Sequence, residues 1–95
     1  MSLMNIVFEK LGNEFSTLKI KKKITNKIII KKNNSYSINL TFNGDTIFLY
    51  TVLNWGVLTY LIDRKTDDDV KLLKSEIVTF LQKNNFDYSV IQKKW

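Results

Sequence analysis

Apolar residues recur at every second position through the middle of this chain and at every third or fourth position near its ends. The first spacing belongs to strands and the second to helices. The clearest strand runs from Tyr36 to Phe42, where Tyr36, Ile38, Leu40 and Phe42 alternate with Ser37, Asn39 and Thr41. It has one apolar and one polar face. Asn43-Gly44 follows at once, a strong hairpin signal. A two-residue turn there pairs Phe42 with Asp45, Leu40 with Ile47 and Ile38 with Leu49. The returning strand spans about Thr46 to Leu53. Asn54-Trp55-Gly56 is expected to turn the chain again into a strand from Val57 to about Arg64. One side of that second hairpin then presents Phe48, Tyr50, Val52, Leu58, Tyr60 and Ile62, so both of its faces are apolar.

Upstream of this meander, residues 19 to 32 alternate in a different way. Ile20, Ile24, Ile28 and Ile30 share one side of an extended strand, and Lys19, Lys21, Lys23, Lys27 and Lys31 share the other. Thr25-Asn26 either splits this ribbon into two short strands or kinks one long strand. The phase of its second half depends on the length of that turn. Asn33-Asn34 is a further turn.

The two ends follow helical spacing. Leu3, Val7, Leu11, Phe15 and Leu18 lie on one face, which predicts a helix over roughly residues 3 to 15, with Ser2 as a cap and Gly12 as a weak point. Thr66 opens the stronger helix, to about residue 83. Asp67, Asp68 and Asp69 complement the positive end of its dipole. Val70, Leu73, Ile77, Phe80 and Leu81 form its buried stripe, and Asn84-Asn85 stops it. Phe86 to Trp95 alternates enough to form a last short strand or an ordered tail. The expected architecture is a single α+β domain over residues 1–95. It is an antiparallel meander of four to five strands with the 66–83 helix on one face and a short N-terminal helix. The N-terminal segment needs a surface, and covering Phe48, Tyr50 and Tyr60 would supply one.

Charge adds what the hydropathy pattern does not contain. The ribbon holds seven lysines and no acid, while the other 81 residues carry eight basic and nine acidic side chains. The net charge of +6 therefore comes from one segment. A charge so localised is suited to an acidic partner. The competing reading is a lysine-rich edge strand that blocks edge-to-edge aggregation.

Composition excludes much of the usual chemistry. Cysteine and histidine are absent, which removes disulfides, the common zinc ligands and the commonest general base. The three consecutive aspartates point about 100° apart on a helix and do not converge on one ion. The glycines at 12, 44 and 56 are isolated, so no phosphate loop exists. We therefore expect no enzyme, no cofactor and no metal. Thr46 to Ile62 is free of charge over 17 residues, but Asn54-Trp55-Gly56 at its centre favours a hairpin over a membrane helix. The lack of cysteine suits a reducing cytoplasm.

The leading expectation is a small non-catalytic module that binds the phosphates of nucleic acid through Lys19, Lys21, Lys22, Lys23, Lys27, Lys31 and Lys32. Phe48, Tyr50 and Tyr60 could add base stacking. Little base specificity is expected, because arginine occurs only once. The alternative is a protein-interaction module, such as a small inhibitor, immunity or phage-encoded regulatory protein. There the ribbon meets an acidic protein surface, and Trp55 or Trp95 anchors the centre. A homodimer through the doubly apolar hairpin is compatible with either. The element order is shared with several small RNA-binding and protein-binding folds, without a signature motif of any of them.

Overall fold

In the computed structural model the elements run α1 (Leu3–Glu14), β1 (Lys19–Lys23), β2 (Lys27–Asn33), β3 (Tyr36–Asn43), β4 (Thr46–Leu53), α2 (Arg64–Lys83) and β5 (Asp87–Val90). The structure describes residues 2–23, 26–33, 36–53 and 64–91. The strands form one five-stranded sheet in the order β1-β2-β3-β4-β5. The first four are the expected antiparallel meander. β5 instead runs parallel to β4, with Ile47 opposite Tyr88 and Leu49 opposite Val90. Parallel neighbours need a long crossover, and α2 provides it. The expected strand from Val57 and the turn at Asn54-Trp55-Gly56 lie outside the described residues. Arg64, placed at that strand's end, opens α2.

The ribbon is a hairpin, as its Thr25-Asn26 step allowed. Lys23 stands opposite Lys27, and Ile20 opposite Ile30. This pairing keeps the two halves in phase: Ile20, Ile28 and Ile30 point to one side and the odd-numbered lysines to the other. Asn26 then ties the hairpin to β3, accepting a bond from the Phe42 amide at 2.8 Å.

The β3–β4 register differs from the expected one. Phe42 faces Ile47 and Leu40 faces Leu49, so the turn is Gly44-Asp45 rather than Asn43-Gly44. Burial explains the shift. The expected register set Asp45 beside Phe42 on the core side, whereas the observed one pairs two buried apolar side chains there. Gly44 accommodates the turn with φ +61, and Asp45 keeps a negative φ, the sign pattern of a type II′ turn. The shift moves each pairing by two residues, so every side chain keeps its face.

Both helices pack on the same side of the sheet. Ile28, Ile30, Ile38, Leu40, Ile47 and Leu49 are wholly buried there with Val7 and Leu11 of α1 and Ile77 and Leu81 of α2. The helices meet through Phe15 and Phe80, whose rings lie edge to face at 5.9 Å. Lys83 also forms an ion pair with Glu14. This corrects the expectation that α1 covers Phe48 and Tyr50. The connection from α1 to β1 is short. The stripe of α1 therefore meets the nearest apolar row, the isoleucines of β1 and β2.

The start of α1 and the end of α2 are capped as the sequence suggests. The Ser2 hydroxyl accepts from the Asn5 amide at 3.2 Å. Asn85 adopts φ 60, and the amides of Phe86 and Asn85 donate to the carbonyls of Leu81 and Gln82. That is a Schellman closure, with Phe86 packed against Phe80. At its start α2 runs two residues further back than Thr66. No helix among the described residues is long and apolar enough to cross a membrane.

Candidate functional site

With both helices on one side, the lysines of β1 and β2 lie on the opposite face of the sheet, which is exposed at its β1 edge and buried at Ser37 and Asn39 of β3. Among the described residues no helix or strand lies over it. Strand alternation decides which side chains it presents. β1 contributes Lys19, Lys21 and Lys23, and β2 contributes Lys27, Ile29 and Lys31. Across the ladder Lys19 stands opposite Lys31, Lys21 opposite Ile29, and Lys23 opposite Lys27. Five cations thus surround one isoleucine. Lys19, Lys21, Lys23 and Lys31 line a shallow cleft of about 150 Å³ with Ile29. Lysines two apart on a strand recur about every 6.6 to 7 Å.

Nothing in the described structure neutralises this group. None of the five lysines is ion-paired with a described carboxylate. Glu9 and Glu14 sit on α1, and Asp68, Asp69 and Glu76 on α2, all in the helix layer, while Asp45 lies in the turn between β3 and β4 without pairing to a described lysine. Asp87 faces the lysine side but lies on β5, at the far edge, where it accepts from the Thr46 hydroxyl at 3.2 Å. Four strand spacings separate it from β1 and three from β2, about 19 Å and about 14 Å, both beyond the screening length at physiological salt. Directly opposed like charges destabilise a ladder.

Two of the seven candidate lysines point elsewhere. Lys22 turns to the helix side, where its ammonium donates to Asn5 Oδ1 at 3.2 Å and lies 4.9 Å from the Phe8 ring centroid. Lys32 lines a second cleft, of about 240 Å³, between the end of α1 and α2, beside Asp69 and Glu76. Both follow from alternation: consecutive lysines cannot share a strand face. The Lys-Lys doublets in the sequence already carried that signal.

Phe48 and Tyr50 of β4 share the lysine face and are half-buried. The Lys27 ammonium lies 5.7 Å from the centroid of the Tyr50 ring, within cation–π range. Between the lysine and aromatic columns runs β3, with Ser37, Asn39 and Thr41. Asn39 is buried, and its Oδ1 has no hydrogen-bond partner. Sequence reasoning placed these three on a polar face but did not assign them to the site. The register shows that they bridge it. Tyr60, Trp55 and Trp95 lie outside the described residues.

No family model matches the chain, and neither a curated protein nor a solved structure is significantly similar to it. The reading of this face rests on its own chemistry.

Proposed function

We propose that this protein is a small non-catalytic module that binds the phosphate backbone of nucleic acid on the sheet face opposite its helices. Lys19, Lys21, Lys23, Lys27 and Lys31 make the contacts. One observation supports the reading above the others: five lysines share a face on which no described carboxylate pairs with them. A purely solvating edge strand would need only the lysines of β1. Here the second strand repeats the charge directly opposite, against the cross-strand repulsion.

Binding works by phosphate neutralisation and release of condensed counterions. Lysine acts as a point charge, so affinity follows phosphate density rather than base identity. Five contacts give a slope of log affinity against log salt of about −3.5 on a single strand and about −4.5 on duplex DNA. Fluorescence anisotropy with labelled oligonucleotides over a salt series measures it. Changing Lys19, Lys21 and Lys23 together to Gln should reduce the magnitude of the slope by about 2 on a single strand and about 3 on duplex DNA. The proposal is overturned by a slope near zero, by no binding at low salt, or by co-purification with one protein partner that nuclease does not release.

A further inference from the structure

Resting on that reading, we infer that the ligand is single-stranded and that the sheet holds two successive nucleotides, one on each of two rows of side chains. The rows follow from the strand register. One crosses the sheet through Lys23, Lys27, Thr41 and Phe48. The next runs through Lys21, Ile29, Asn39 and Tyr50. Each begins with lysine at the β1 edge, passes a small polar side chain on β3 and ends on an aromatic ring of β4.

Three dimensions fit this ligand. Successive rows on one face are about 6.6 to 7 Å apart along the strands, close to the phosphate repeat of an extended single strand. From β2 to β4 is two strand spacings, about 9.5 Å, a span that a phosphate, its sugar and its base can cover. The structure gives the third: the Lys27 ammonium of the first row is 5.7 Å from the Tyr50 centroid of the second, so the lysine and aromatic columns stand within a nucleotide's span of each other.

The backbone then runs along β1 and β2, over the lysine cleft. The bases turn inward across β3 and stack on Phe48 and Tyr50. Thr41, half-buried, lies under the sugar–base junction of the first row and is polar enough to hydrogen-bond there. Asn39, in the second row, is buried beneath its neighbours, so the second nucleotide passes over it without contacting it. A duplex cannot use this arrangement, because its bases are paired and turned away from the phosphates. Stacking accepts any base, which agrees with a site that reads no sequence. Deoxyribose and ribose strands share this chemistry, so both are tested.

The experiment compares oligothymidylate, oligouridylate and a duplex of equal length at one salt concentration. The single strands should bind at least about 10-fold more tightly than the duplex, whether or not they prefer one sugar. Phe48→Leu and Tyr50→Leu should each weaken single-strand binding by about 5- to 150-fold, with an unchanged salt slope. Tyr50→Phe should bind like the parent protein. To remain independent of variant folding, a 5-iodouracil strand is photocrosslinked to the unaltered protein, and crosslinks are expected at Phe48 or Tyr50. Equal duplex affinity, folded leucine variants with parental affinity, or crosslinks confined to other residues overturn the inference. If the steep salt slope persists in those cases, the phosphate reading stands alone. If no nucleic acid binds at low salt, both fall.

Discussion

Lys19 and Lys31 occupy directly opposed positions on β1 and β2, on the same face of the sheet. Two cations held this way oppose the hairpin that carries them. The strands pair nonetheless, because the isoleucines of their other face are buried against α1. Replacing Lys31 with Thr should therefore stabilise the protein by about 0.2 to 1 kcal/mol in low salt. The gain should shrink toward zero at 1 M salt, where charges are screened over about 3 Å. Urea midpoints at the two salt concentrations check this, and a gain that survives high salt would exclude repulsion as its cause.

Tyr36 makes stability depend on alkaline pH. Its ring is buried and its hydroxyl has no hydrogen-bond partner. Burial holds its pKa above the ordinary tyrosine value, and Asp69 and Glu76 push it further in the same direction. The folded protein therefore keeps a proton that the unfolded chain releases. This contribution is fully present below the unfolded value, about pH 10, and is lost as pH rises through the folded value. Tyr36→Phe should remove that part of the alkaline loss. At neutral pH it should be nearly neutral or stabilising, since an unpartnered hydroxyl is removed. Denaturation midpoints of both proteins from pH 8 to pH 11 give the comparison. Parallel curves would refute the assignment.

Two glycines should respond to alanine with opposite sign. Gly12 sits in α1, exposed, and a Cβ there meets nothing within 4 Å. Gly12→Ala should raise stability by about 0.5 to 1 kcal/mol. Gly44 has equal space but φ +61, so Gly44→Ala should lower stability by about 1 kcal/mol or more. Thermal melts of the two variants test the pair. A shift of the same sign in both would contradict the backbone argument.

Phe80 links the helices to each other and closes α2. Its ring lies 5.9 Å from Phe15 and 6.1 Å from Phe86. Phe80→Ala should cost about 3 to 5 kcal/mol, the range for a large buried aromatic. Asn85→Gly should add a few tenths of a kcal/mol or more, because φ 60 strains any side chain there. Urea titrations give both values. A loss below about 1 kcal/mol for Phe80→Ala would mean that the ring is not a keystone of the core.

Much of the fold was legible in the sequence because period and burial coincide. The stripe containing Val7 and Leu11 predicted α1. The alternation from Tyr36 to Phe42 predicted β3, and Asn84-Asn85 predicted the end of α2. The turn at Gly44-Asp45 was missed because Asn43-Gly44 is the better local signal. The pairing of Phe42 with Ile47 outweighed it. The parallel position of β5 had no local signature, since strand order is set by where a crossover helix returns the chain. Within the candidate site, the sequence pointed to the lysines and to Phe48 and Tyr50, but not to the β3 side chains that lie between them.

The sequence alone determined which side chains share a face within one strand, because strand alternation is a local property of the backbone. It set Lys19, Lys21 and Lys23 apart from Lys22, and Lys31 apart from Lys32, while the hairpin register put the two strands' lysines on one face. Only the tertiary structure decided that α1 and α2 cover the same side of the sheet, leaving the lysines facing away from both helices. It also set the order lysine, lysine, small polar, aromatic across the row through Lys23, with Ile29 in place of the second lysine in the row through Lys21. Those outcomes depend on how separate elements share one apolar surface, and that competition among long-range contacts is not written in any single segment.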